Sequence, residues 1–374
     1  MNVGVNGYEA VVPRFGYDRK SGLPIRVGSA EFAFRLLNEF AKDKSNSFIT
    51  YLPKEPTSDM PKETQNFKYS VFKSKKLWTM IGLSQKLLSD KKNLDVFFSP
   101  THYLPLTTPV PSAVSILDVS YLKYPQLFNK RDLYQLRFWG GWSVKKAKKI
   151  LTISNSSKDG IIEAYGVSPE KVTVVYPGIS PKEEIKNMEE LTKKYNIKGK
   201  YILFVGTLQP RKNIERLIEA FSKIFDKDLT LIIIGKKGWM FEEILDAPKR
   251  FGVSEKVKFL DSVMDDELPG FYKNAEFFIL PSLYEGFGLP VLEAMQYGCP
   301  VITSSVSSLP EAGGDAVLYV DPEDTFDIKS KMEKLLKDQK LREELIKKGY
   351  QQVKKFSWDK TAKDTIKVLE SIAR

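Results

Sequence analysis

Short apolar runs recur through the second half of the chain at Tyr201 to Val205, Leu229 to Gly235, Val257 to Leu260, Glu276 to Leu280, Val301 to Thr303 and Val317 to Val320. Helical stretches separate them, and this beat predicts a parallel sheet with right-handed crossovers. One such stretch has Asn213 as candidate N-cap and Ile214, Leu217, Ile218, Phe221 and Phe225 on one face. The first half alternates less regularly. Its predicted strands are Val3 to Val12, Phe48 to Leu52, Phe67 to Phe72, a run from Asp95, Ala113 to Leu117, Lys149 to Ser154 and Val172 to Gly178. Ser29 is the candidate N-cap of a helix that carries Phe32, Leu36, Leu37 and Phe40 at helical spacing. The charged stretch from Ser180 to Lys200 marks a domain boundary.

The densest punctuation follows the buried run Phe277-Phe278-Ile279-Leu280. Gly286 and Gly288 permit a tight turn, and Pro290 suits the first position of a helix ending near Gly298. A helix thus starts just beyond the carboxyl end of a strand, where its amides and dipole favour a phosphate. Glu285 and Glu293 frame the turn. Carboxylates bind phosphate poorly but accept sugar hydroxyls well, so the constellation suits a ligand with both groups. The plain alternative is a glycine-rich turn with two solvated or capping carboxylates.

A second loop, Gly206-Thr207-Leu208-Gln209-Pro210-Arg211-Lys212-Asn213, ends the first strand of that same half. Arg211 and Lys212 would sit at the positive end of a helix, each unfavourable by roughly 0.3 to 1 kcal/mol unless an anion answers them. Arginine offers a planar fork and lysine a point charge, a pair suited to a diphosphate. An isolated Arg-Lys pair is more often a solvated loop, but here two phosphate-competent loops converge on one cleft.

The spacing Glu, seven residues, Glu, with Gly-Phe-Gly-Leu-Pro between, closely resembles the signature of retaining glycosyltransferases of family 4. That resemblance implies an α/β fold of two Rossmann-like domains facing across a cleft, the GT-B fold. It extends to Gly235-Lys236-Lys237-Gly238-Trp239, Ser308-Leu309-Pro310-Glu311 and Phe356-Ser357-Trp358. The implied domains are residues 1–180, binding acceptor, and 181–356, binding the nucleotide sugar, with the helix of 357–374 packing back on the first.

By the same resemblance Arg211 and Lys212, on the loop opened by Gly206, hold the donor diphosphate, Glu293 the ribose and Glu285 the transferring sugar. Phe287, Gly288 and Leu289 supply backbone contacts, and the base pocket lies near Val263 and Met264. Asp261 stands where relatives often carry glycine. In the first domain the family's glycine-rich loop has its counterpart in Pro13 to Gly28, with Arg14, Gly16, Arg19, Lys20 and Gly22, and Gly28 facing acceptor and donor phosphates. Leu117 replaces the family's histidine beside the transferring sugar, which leaves Asp118 as the matching polar residue. Glu285, Arg211, Lys212 and Asp118 are the expected catalytic set.

Composition narrows the alternatives. A chain of 374 residues exceeds what one core usually serves, and 42% hydrophobic with 28% charged residues is ordinary for a globular protein. No apolar run approaches a membrane span, the amino terminus lacks signal-peptide character and the lone Cys299 excludes an internal disulfide, so a cytoplasmic location is expected. His102 is the one histidine, which excludes a His-rich zinc site; at the end of a first-domain strand it keeps an acceptor-side role open. No carboxylate cluster suggests a metal, and no cofactor is expected beyond the nucleotide-sugar co-substrate.

The net charge of +11 favours anionic partners. Basic clusters fall at Lys73 to Lys76, Lys91-Lys92 and Lys145 to Lys149, each read first as a solvated face. The Leu77 to Leu83 stretch could lie on an acidic membrane, placing the protein at its inner face, though apolar positions of this kind more often face a core.

The function expected is transfer of a hexosyl group, mannose from GDP-mannose by resemblance to bacterial surface-polysaccharide mannosyltransferases, to a glycan or lipid-linked acceptor. A UDP-hexose, UDP-glucose among them, is the alternative donor. A polyanion- or membrane-binding protein is the non-enzymatic alternative, but it leaves the two glutamates unexplained, and no nucleic-acid partner is expected.

Overall fold

The computed structural model describes residues 1–12, 16–18, 21–74, 77–180, 188–261, 263–264 and 266–374. The loop Pro13 to Gly28 is thus described in part, with Arg14, Arg19 and Lys20 outside the described residues, as are Lys75 and Lys76. The chain divides into two compact units, Met1–Gly178 with Ser357–Arg374, and Ile179–Phe356.

The first unit holds a parallel sheet of β1 (Asn2–Asn6), β2 (Ser47–Leu52), β3 (Phe67–Val71), β4 (Val96–Ser99), β5 (Ser112–Ser115), β6 (Lys149–Thr152) and β7 (Val172–Val174), in the order β3-β2-β1-β4-β5-β6-β7. Val3 of β1 lies opposite Phe48 on one side and Val96 on the other, so the central strand is buried from both edges. The opening strand was expected to reach Val12 but stops at Asn6. There the Asn6 amide donates to Ser99 Oγ at 3.0 Å and accepts from the Tyr8 amide at 3.1 Å, turning the chain into a helical turn at Tyr8–Val11. Ala10 and Val11 are buried by that turn rather than by a strand.

Phe32, Leu36, Leu37 and Phe40 are buried along the helix Ser29–Phe40 as their spacing predicts. Its N-cap is Gly28, at φ 57°, rather than Ser29, whose hydroxyl instead donates to Glu9. The helix Trp358–Glu370 packs on this one, with the Phe32 and Trp358 rings 5.8 Å apart edge to face. Ser357 caps it by accepting from the Lys360 amide at 3.2 Å. In the amphipathic stretch Leu77 to Leu83, Trp78 stacks on Phe72 at 4.8 Å and Met80 and Leu83 are buried, while Leu77 and Ile81 are exposed, so one face meets the core and the other does not.

The second unit holds β8 (Lys200–Val205), β9 (Leu229–Ile234), β10 (Val257–Leu260), β11 (Phe277–Leu280), β12 (Val301–Ser304) and β13 (Leu318–Val320), all parallel, in the order β10-β9-β8-β11-β12-β13. This is a Rossmann strand order, and its direction of growth reverses between β8 and β11. In open sheets of this kind ligands bind outside the carboxyl ends of the strands at such a reversal.

Two details depart from the periodicity. The helix after β8 runs Ile214–Ser222, and Phe225, expected on its buried face, lies beyond it and is fully exposed. Asn213 makes no capping bond. It adopts a left-handed conformation at φ 60°, and its amide donates to the Pro281 and Pro322 carbonyls at 3.0 and 2.6 Å.

Candidate active site

Beyond β8 the chain makes a 3-10 turn at Pro210–Lys212, and beyond β11 it makes the turn that opens the helix Leu289–Gln296. The Leu283 amide donates to the Arg211 carbonyl at 2.8 Å, and the Asn213 amide to Pro281, so the two loops are pinned at the reversal point.

Glu285 sits between them, only 6% exposed. Its Oε1 accepts from Lys212 Nζ at 2.5 Å and from Ser282 Oγ at 2.7 Å, and its Oε2 from Arg211 Nη1 at 3.0 Å. Burial pushes the carboxyl up, but the Lys212 and Arg211 charges and the Lys212 and Ser282 hydrogen bonds hold it down to about 2. It is therefore a carboxylate at neutral pH. Arg211 also donates to the Tyr284 carbonyl at 2.8 Å, and the Gln209 amide oxygen, turned to satisfy both partners, accepts from its Nε and Nη2 at 3.2 and 3.1 Å. Its fork is thus held in one orientation.

The backbone of Glu285 is fixed from the loop that follows β12. Ser307 Oγ donates to the Glu285 carbonyl at 2.6 Å and accepts from its amide at 3.2 Å, while Ser308 Oγ donates to that carbonyl at 2.8 Å. Ser307 makes these bonds from a left-handed backbone, φ 60°, that serine rarely adopts. Gly288 carries φ 103°, and a Cβ there would lie 2.7 Å from Leu309 Cδ2. Only glycine meets both demands. Phe287 is buried with its ring edge-on to Phe356 at 5.4 Å, and Leu289 begins the helix whose amides face the turn.

Glu293 is one turn further along, where Oε2 accepts from the buried Tyr272 hydroxyl at 3.0 Å. Close packing of the neighbouring loops brings Gly206 against Gly235, where a Cβ would fall 1.9 Å from the Gly206 carbonyl. Val263 and Met264 are half-buried after β10, the Met264 amide donating to the buried Glu267 at 3.0 Å. Asp261 is exposed.

In the first unit Asp118 follows β5 and folds back on Ser120, accepting from its amide at 2.9 Å and its hydroxyl at 2.7 Å. Leu117 is buried; His102 is half-buried beside Tyr103, with ring centroids 6.3 Å apart; Gly28 is exposed. The structure thus brings Arg211, Lys212 and Glu285 into one ion cluster and sets Glu293 on the adjoining helix. Sequence reasoning assigned no role to Tyr272, Ser282, Ser307 or Gln209. Of these Ser282, three residues before Glu285, and Gln209, two residues before Arg211, had a local signal. Among the described residues no three His, Cys, Asp or Glu side chains gather to hold a metal.

Residues 56–183 match the family described as Glycosyltransferase Family 4, and residues 187–352 match Glycosyl transferases group 1. The chain is 33% identical over 279 residues to O-antigen chain mannosyltransferase B of Escherichia coli, covering 72% of this chain and 73% of that protein. It is 30% identical to O-antigen chain mannosyltransferase RfbU of Salmonella typhimurium, covering 65% of each. Among solved structures, HepE of Anabaena in complex with UDP-glucose superposes with TM-score 0.74 at 16% identity, over 99% of this chain and all of that one. That likeness carries the GT-B fold.

Proposed function

The chain belongs to glycosyltransferase family 4 and transfers hexosyl groups, and on that premise we propose that it moves mannose from GDP-mannose to a glycan or lipid-linked glycan, retaining the anomeric configuration and without a metal ion. The observation that carries this reading is the buried Glu285 carboxylate bonded to both Arg211 and Lys212 beside a helix amino terminus. A solvated loop would not order a cation pair in this way.

As the acceptor hydroxyl oxygen bonds to the sugar's anomeric carbon and passes its proton to the departing diphosphate, the bond from that carbon to the diphosphate oxygen breaks and the leaving group takes the electron pair and gains negative charge. Arg211, Lys212 and the amides at Leu289 are preorganised to stabilise that charge, commonly the largest single term in such catalysis. Glu285, ionised at neutral pH, keeps the two cations in place before the donor arrives and offers its oxygens to sugar hydroxyls. Mannose as the sugar is supported by the named activities of the E. coli and Salmonella relatives. UDP-glucose is the second reading, favoured by the HepE complex.

The test is release of nucleotide diphosphate from GDP-, UDP- and ADP-sugars, with and without EDTA. EDTA-insensitive turnover of GDP-mannose is expected. Turnover of a UDP-hexose alone would replace the donor, and EDTA-sensitive turnover would overturn metal independence.

For the acceptor side we propose contact with an acidic lipid surface through the segment beginning at Lys130. Tyr134 and Phe138 are 65% and 53% exposed and stack at 5.8 Å, among the exposed Lys130, Arg131 and Arg137. Aromatic rings with basic neighbours suit an anionic interface. Co-sedimentation with phosphatidylglycerol vesicles, lost in the Tyr134→Ser/Phe138→Ser variant, is expected; equal binding by that variant would sink the assignment. Among the described residues no helix is long and apolar enough to cross a membrane.

A further inference from the structure

Glu293 is the fifth residue of the helix Leu289–Gln296, past the amides that lack helical partners, so capping does not account for it. Its carboxylate meets a hydroxyl from the adjacent helix Leu268–Asn274, where Tyr272 is fully buried. The Tyr272 ring is stacked with Tyr297 at 6.1 Å and meets Phe278 edge to face at 5.5 Å. Held on two sides, the ring has no freedom to swing, and its hydroxyl donates to Glu293 Oε2 at 3.0 Å. Burial and then the Glu293 charge push the phenol well above its ordinary value, so it remains a donor.

A glutamate on a helix surface otherwise rotates about three side-chain bonds, and ordering it on binding weakens affinity. With one oxygen bonded to the held Tyr272 hydroxyl, the rotamers open to the carboxylate are narrowed before a ligand arrives. We propose that Tyr272 is a positioning residue for ribose recognition: it fixes Glu293 so that the carboxylate meets the vicinal hydroxyls of the donor nucleotide. This rests on the reading of Glu293 as the ribose acceptor. A bond serving only to satisfy a buried phenol would leave recognition of those hydroxyls unchanged.

The experiment compares GDP with 2′,3′-dideoxy-GDP, and UDP with its dideoxy analogue, by calorimetric titration of wild type, Tyr272→Phe, Glu293→Gln and the double variant. Wild type is expected to prefer the ribonucleotide. Tyr272→Phe should lower that preference about tenfold, the scale of one hydrogen bond to a charged group, with dideoxy affinity unchanged. Glu293→Gln should abolish the preference, and the double variant should fall no further. Wild-type preference in Tyr272→Phe, beside its loss in Glu293→Gln, overturns the proposal alone. Equal binding of ribo- and dideoxynucleotides by wild type overturns the ribose reading of Glu293 and the proposal together. Thermal melting accompanies each titration, and equal loss of both nucleotides in a destabilised Tyr272→Phe counts against positioning and for a merely structural bond.

Discussion

Lys212 and Glu285, 73 residues apart in sequence, form an ion pair with Nζ to Oε1 at 2.5 Å, both side chains under a tenth exposed. Removing one member of a buried pair leaves the other charge desolvated, at a cost of about 3 to 5 kcal/mol. Arg211 remains on the other oxygen, so Lys212→Ala should fall at the lower end of that range in urea unfolding. Donor turnover should drop at least about a hundredfold, as when one preorganised charge-stabilising group is lost. Near-normal turnover would remove Lys212 from the site.

The pH dependence follows from Glu285. Its value in the fold, about 2, lies below that of an unfolded glutamate, near 4.3, so the fold favours its ionised form. The stability it contributes is fully present above about pH 4.5 and is lost as pH falls toward 2. The gap in unfolding free energy between wild type and Glu285→Gln should therefore narrow across that window; a gap constant from pH 6 to 2 would contradict the assignment.

Gly288→Ala meets two obstacles, the left-handed φ of 103° and the approach to Leu309. A destabilisation of about 1 to 3 kcal/mol is expected from the backbone strain alone. Leu309 is itself buried, so Leu309→Ala destabilises alone. In the double variant the clash is gone and the strain remains, so the combined loss of melting temperature should be smaller than the sum of the two single losses but larger than that of Leu309→Ala. A double variant no less stable than Leu309→Ala would mean the backbone conformation is unimportant.

Ser307 ties the Glu285 backbone while itself strained. Ser307→Gly removes both the hydroxyl and the strain, whereas Ser307→Ala removes the hydroxyl alone. The glycine variant should be the more stable of the two by about 1 kcal/mol, with both slower in donor turnover than wild type. Equal stability would show that the φ of 60° is not strained.

The strand-turn-helix from Phe277 to Gln296 was legible because its cues are local: a strand buried on both faces reads as one apolar run, and the glycines and Pro290 punctuate it. The same holds for the rhythm of β8 to β13. What escaped was set by distant partners. Asn213 has the composition of a helix cap, yet its amide is taken by carbonyls 68 and 109 residues away, which no window of sequence contains. Tyr272 reads as one more core aromatic until Glu293 is found opposite its hydroxyl. The run to Val12 looks like a single strand because nothing local announces that Asn6 will bond Ser99 and turn the chain.

The helix Trp358–Glu370 belongs to the first unit although the whole second unit precedes it in the chain. Its apolar stripe covers Phe32 and its neighbours, and Gly178 lies so close to Trp358 that a Cβ would fall 2.1 Å from the Trp358 amide nitrogen. A stop codon just after Phe356 would therefore spare the part of the protein made immediately before it and unmake the part made first. During synthesis the first unit must wait, with an uncovered greasy face, until the helix that follows the second unit has been made.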